Sequence, residues 1–140
     1  MTEILAVVII FGVLVTVAMP KVQGIMRTSR VNAAASIVAG DLGHAFTLAA
    51  RSRRPVRLTC DDAGTGYSIT DRDNPGEVMV TRSMGSDEDM KITSGACSAA
   101  TVDFFPNGLA SSAFDITLVS VDDGRLVTMT RVGKVRITRP

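Results

Sequence analysis

MTEILAVVIIFGVLVTVAMPK, residues 1–21, carries one carboxylate, Glu3, at the head of an otherwise apolar run that ends at Pro20. From Ile4 to Met19 there is no charge, and only Gly12 and Thr16 interrupt the apolar character. At about 1.5 Å rise per residue the run is somewhat short of the ~20 residues that span a bilayer as a helix, and it is too long for an ordinary core strand. A cleaved export signal has basic residues before its apolar run and small residues after it. Here an acid precedes the run and Pro20-Lys21 follows it, so neither flank is present. A carboxylate at the lip of such a segment is costly unless a partner or a function accounts for it. The plainer alternative is that Glu3 caps a helix start, where the macrodipole favours an acid.

From Val22 the character changes. VQGIMRTSRVNAAASIVAGDLGHAFTLAARSRR places Val22, Ile25, Met26, Ile37, Leu42, Phe46 and Ala49 mostly at three- and four-residue steps, one apolar stripe on a helix. Arg27, Arg30, Asp41 and His44 fall between the stripe positions, and no further proline occurs until Pro55. The pattern predicts one helix to about Arg51, hydrophobic all round in its first half and amphipathic in its second. Pro20 is expected to kink the junction and Gly24 to loosen it. The chain thus divides into a hydrophobic segment 1–20, an amphipathic continuation 21–54 and a globular part 55–140.

Beyond Pro55 the period becomes two. VRLTC (56–60), YSIT (67–70), EVMVT (77–81), MKIT (90–93), VDFF (102–105), FDITLVS (114–120), RLVTMTR (125–131) and KVRIT (134–138) read as strands. Their separators, DDAGTG, DRDNPG, MGSDED, PNG, VDDG and VG, have turn chemistry. The fold class is therefore α+β: a long helix packed on a small antiparallel β-sheet domain.

The totals exclude several functions. Fifteen Lys and Arg against 14 Asp and Glu leave no global electrostatic case for nucleic acid or for an acidic membrane, so any such case must be local. Five Phe, one Tyr and no Trp make a poor stacking platform for single strands. His44 is the only histidine, so a Ser-His-Asp or Cys-His constellation would have to use a residue on the helix. No phosphate-binding glycine motif and no calcium-loop motif occurs, and the Asp pairs and runs 61–62, 71–73, 87–89 and 122–123 read as turn residues. No catalytic residue, metal, cofactor or small-molecule substrate is expected. Cys60 and Cys97 are too far apart for a C-x-x-C site. In an oxidising compartment they would form a bridge worth about 3 to 4 kcal/mol, with Cys97 in the loop SGACSAA, and in a reducing one they would be two free thiols.

The carboxyl end holds the sharpest cationic feature. Arg131, Lys134, Arg136 and Arg139 surround Gly133, and on a strand over 134–138 the side chains of Lys134 and Arg136 share a face. Alternating cations also suit the solvent face of an edge strand, where they discourage unwanted pairing.

The amino-terminal pattern, T-x-E-[IL] followed by an apolar run with proline seventeen residues after the acid, resembles the helix of type IV pilins and type II secretion pseudopilins. In that family's register Met1 is the third residue of the mature helix. The basic leader and the Gly-Phe junction lie outside these residues, and so does the methylated amino terminus that the acid of a neighbouring subunit would meet. FFPNGLASSAFDITL (104–118), VGKVRIT (132–138) and the helix exit LAARSRRPVRLTC (48–60) are similar to the GspH/FimT minor pilin family.

The resemblance implies a structural subunit of a type II secretion pseudopilus or type IV pilus, with Glu3 and Pro20 as its assembly residues. Other pilin-like chains and the inner membrane are the implied partners, and the carboxyl-terminal domain is implied to be periplasmic. Two alternatives stand beside it. One is a DNA-uptake minor pilin that grips DNA through Arg131, Lys134, Arg136 and Arg139, with Lys134 replacing the arginine of that motif. The other is a signal-anchored periplasmic domain with no filament partner.

Overall fold

No proline and few β-branched pairs interrupt the stretch from Lys21 to Ser52, and the chain stays helical there. The computed structural model describes residues 2–61, 64, 66–85, 90, 92–121 and 123–140, and within the helix the side chains of residues 3, 4, 7–14 and 24 onward. Helix α1 spans Thr2–Ser52, 51 residues, or about 76 Å at 1.5 Å per residue. It continues through Pro20 and Gly24. Its end is determined locally: Arg53 turns left-handed at φ 55, and Pro55 cannot continue the ladder. Arg51 in the last turn suits the negative pole of the helix.

Among the described residues eight strands follow: β1 (Val56–Cys60), β2 (Gly66–Asp71), β3 (Val78–Ser83), β4 (Ser94–Cys97), β5 (Thr101–Phe104), β6 (Phe114–Ser120), β7 (Asp123–Met129) and β8 (Val135–Thr138). They form two four-stranded sheets, ordered β3-β2-β1-β5 and β4-β6-β7-β8, every pairing antiparallel. Both sheets pack on α1. Strict alternation makes this work: Val56, Leu58 and Cys60 in β1, and Phe114, Ile116 and Leu118 in β6, bury one face each.

The buried side of α1 differs from the predicted stripe. Val31, Ala34, Ala35, Val38, Leu42, Ala45 and Ala49 are buried, whereas Ile25 and Met26 are 70% and 51% exposed and Ile37 is 38% exposed. Phe46 is half-buried, its ring edge-on to Phe104 with centroids 4.9 Å apart. Alanines line this face because two sheets must approach one helix closely, and small side chains permit it. Of the predicted stripe, Leu42 and Ala49 are buried and Phe46 packs against the core, whereas Ile25, Met26 and Ile37 point elsewhere. Asp41 likewise lies on the buried face, not between stripe positions.

Met90, Ile92 and Thr93 of the expected strand MKIT (90–93) are not in a strand, and Lys91 lies outside the described residues. Pairing begins one residue later, Ser94 opposite Val119 through Cys97 opposite Ile116, so Cys97 lies on β4 and not in a loop. Met90 and Ile92 instead plug the core at 4% and 0% exposure. Gly95 lets β4 lie close against Met84, whose Sδ a Cβ there would meet at 2.8 Å. Asp71 behaves as a turn residue, its Oδ1 accepting the backbone N–H of Asp73 at 2.8 Å and of Asn74 at 3.2 Å. Asp123, expected in a turn, begins β7. Asp62, Asp122 and the acidic run 87–89 lie outside the described residues.

Candidate functional site

One end of α1 projects beyond the β-domain. Ile4, Val7, Val8, Ile9, Ile10, Phe11, Val13 and Leu14 are 59–69% exposed, and Glu3 at their head is exposed too. Among the described side chains, burial against the domain starts only at Val31. Eight large apolar side chains on a bare helix surface constitute an unsatisfied hydrophobic face far beyond the scattered exposure normal for a monomer. The Pro20 side chain lies outside the described residues. The helix from Gly24 onward is also long and apolar enough to cross a membrane by composition. Its buried face is occupied by the domain, however, and Arg27, Arg30 and Asp41 break it, so residues 4–19 are the better membrane-length segment.

Two polar anchors fix the domain to the second half of α1, and a disulfide joins its two sheets. Asp41, on the buried face, accepts a fork from Arg82 of β3, with Nε to Oδ2 at 2.8 Å and Nη2 to Oδ1 at 3.3 Å. The Tyr67 hydroxyl of β2 donates to the same Oδ2 at 2.8 Å. Burial and this carboxylate push the Tyr67 phenol well above its ordinary range. On the other sheet, Arg125 of β7, 6% exposed, donates through Nε to Asn32 Oδ1 at 2.7 Å and through Nη1 to Asp123 Oδ1 at 2.5 Å. Hydrogen bonds from Arg125 and then from the Thr28 hydroxyl hold the Asp123 carboxyl below the usual range. Cys60 and Cys97 are joined by a disulfide, Cα atoms 6.5 Å apart, which links β1 of one sheet to β4 of the other.

These anchors orient the domain along the helix. The start of β7 lies beside Thr28 and Asn32, where Gly24, Arg27, Thr28, Ser120, Asp123 and Arg139 line a common recess. The end of β7 leads to Gly133, which lies against the ring of Phe46. The β6–β7 turn therefore lies toward the projecting segment and the β7–β8 turn away from it.

This orientation separates the four candidate cations. Arg131 and Lys134 lie in the β7–β8 turn at the distal end, closed by Thr130 N–H to Lys134 O at 3.0 Å and Gly133 N–H to Thr130 O at 2.9 Å. Arg136 follows on the outer face of edge strand β8, opposite Thr128, and all three are exposed. Arg139 lies at the other end of β8, in the recess beside the helix. The distal turn also meets the turn after β5: Ala110 N–H donates to Arg131 O at 2.8 Å. The two sequence motifs of residues 104–118 and 132–138 are thus one surface, with Leu109 and Val132 exposed beside the cations.

Among the described residues no group of three His, Cys, Asp or Glu side chains converges as a metal site, and His44 is solvent-exposed on α1. The Asp41–Tyr67–Arg82 cluster escaped the reading of the sequence. Its signal was present: Ala34, Val38, Asp41 and Ala45 recur at helical spacing, so the small-residue face contains the acid.

Comparison with known proteins bears on the family and the fold. A family model described as type II transport protein GspH matches residues 34–133. Crystal structures of the Pseudomonas aeruginosa PAO1 type IV minor pilin FimU are similar in fold at 17% identity, one form with a TM-score of 0.63 over 79% of this chain and 89% of that one. A second crystal form gives 0.59 over 76% and 91%. A search of the curated proteins finds no significant match.

Proposed function

Since this chain belongs to the GspH family of type II transport proteins, we propose that it is a minor pilin or pseudopilin, a structural subunit of a type II secretion pseudopilus or type IV pilus. Its work is assembly, not catalysis. Residues 1–20 serve as a membrane anchor before assembly and as a filament-core helix afterwards, with residues 21–54 and 55–140 carried outside as a periplasmic head. The observation that carries this reading is the projecting helix: an uncharged face 59% or more exposed over its described residues, which the head leaves uncovered. Only lipid or other apolar helices would satisfy it.

Glu3 gives the reading its test. An acid at the head of the apolar run is tolerated in a filament if a neighbouring subunit pairs with it, and such pairing sets the axial register. Glu3→Ala is expected to leave folding and membrane insertion intact and to reduce incorporation into filaments, as measured by crosslinking to other pilin-like subunits. Normal incorporation would return Glu3 to the role of a helix cap. A pulldown without any pilin-like partner would favour an anchored domain outside filaments.

One observation favours a second reading, a receptor for DNA. Arg131 and Lys134 occupy an exposed turn at the end of the head farthest from the projecting segment, with Arg136 beside them. Backbone phosphates would meet these cations first.

A further inference from the structure

The end of the head nearest the projecting helix holds apolar side chains that the fold does not use. Ile25 and Met26 on α1 are 70% and 51% exposed, and Val121, in the β6–β7 turn, is 58% exposed. Val121 also stands at φ 54. A β-branched residue in the left-handed region is strained, and asparagine or glycine would suit the position better. An apolar side chain thus stands at the tip of a turn where a polar residue or glycine would fold more easily. Around it are Arg27 and Arg139, which line the recess between helix and turn.

The height of this collar is determined by the helix. Gly24 is five residues beyond Met19, so the recess begins about 7 Å past the end of the uncharged run. The headgroup layer outside a ~30 Å hydrocarbon core is about 5–8 Å thick on each side. Residues 4–19 rise about 24 Å, less than that core, so with Glu3 at its inner edge Ile25 to Arg27 lie about 3–6 Å past its outer edge, among the headgroups. Apolar tips flanked by arginines have the composition of surfaces that bind acidic membranes.

We propose that this collar, formed by Ile25, Met26, Val121, Arg27 and Arg139, is a docking surface for the acidic phospholipid bilayer, holding the head upright on the membrane before assembly. The proposal rests on the reading of residues 4–19 as a bilayer segment. A neighbouring copy of the chain is the competing occupant, and the lipid surface is favoured by its continuity with that segment and by the charge of the collar.

The full chain, with its disulfide intact, is reconstituted in vesicles of phosphatidylcholine alone or of phosphatidylcholine with phosphatidylglycerol. An environment-sensitive probe is placed by Val121→Cys, with Val132→Cys as the distal control and Phe11→Cys as the bilayer control. The Val121 probe is expected to be shielded from aqueous iodide and quenched by a lipid-borne quencher only in the acidic vesicles. Arg27→Gln or Arg139→Gln should each lower that shielding about fivefold, the factor for about 1 kcal/mol per basic residue at an acidic surface.

If the Val121 probe stays as accessible as the Val132 probe while Phe11 is lipid-quenched, the collar proposal is overturned and the anchor reading stands. If Phe11 is not lipid-quenched, the anchor reading fails and the collar proposal with it. Shielding that follows protein density and not the acidic lipid marks a neighbouring chain as the occupant and also overturns it.

Discussion

Gly133 and Tyr67 show how much single residues decide here. Gly133 stands at φ 80, and a Cβ on it would meet the Phe46 ring at 3.2 Å. Conformation and close approach both call for glycine. Gly133→Ala is expected to cost about 1–2 kcal/mol in urea unfolding, the left-handed penalty of an L-residue with some relaxation of the ring. Tyr67 is the only tyrosine, and there is no tryptophan, so its ionisation can be followed alone. Its phenol is raised by burial and by Asp41. In the unfolded chain it ionises near pH 10, so above that pH the unfolded state binds fewer protons and stability falls as pH rises. Tyrosinate absorbance is expected to appear only together with loss of the circular dichroism signal. Ionisation near pH 10 with the fold intact would contradict the buried Tyr67–Asp41 bond.

At the level of elements, the two sheets share few backbone bonds, and α1 and the disulfide hold them together. The bridge closes a separation of 37 residues between β1 and β4. On the chain-entropy estimate it contributes about 4 kcal/mol, a large share of a domain's usual 5–15 kcal/mol. Reduction, or Cys60→Ala with Cys97→Ala, is expected to lower the urea midpoint accordingly, and an unchanged midpoint would show that α1 alone fixes the sheets. Strand β4 explains why its position was hidden. SGAC has poor strand propensity and MKIT alternates well, yet pairing with Val119 to Ile116 selects SGAC. The helix was far more legible, because α1 was expected to about Arg51 and ends at Ser52, where Arg53 and Pro55 stop it by local chemistry.

For the whole molecule, the placement of charge along the long axis matters more than its total. If the distal turn is a DNA surface, Arg131, Lys134 and Arg136 act together and Arg139, at the other end of β8, does not. About three neutralised phosphates then give a log–log salt slope near −3. Lys134→Ala with Arg136→Ala should reduce both binding and slope, and Arg139→Ala should change neither. A flat salt response would exclude this reading. The family match runs over residues 34–133, the last part of the helix and nearly all of the head, and it agrees with a chain whose head is a module carried on a helix.

The sequence by itself determined the long helix, its division into an uncharged and an amphipathic half, seven of the eight strands to within a few residues, and the family. The helix and the strands follow from local period and turn chemistry, which neighbouring residues encode directly, and the family from the resemblance of its motifs. Only the tertiary structure decided which helix face is buried, that the strands form two sheets, that Asp41, Tyr67 and Arg82 meet, and that Arg139 parts from Arg131 and Lys134. Those outcomes depend on contacts between residues tens of positions apart, where close packing of two sheets on one helix favours alanines over larger apolar side chains.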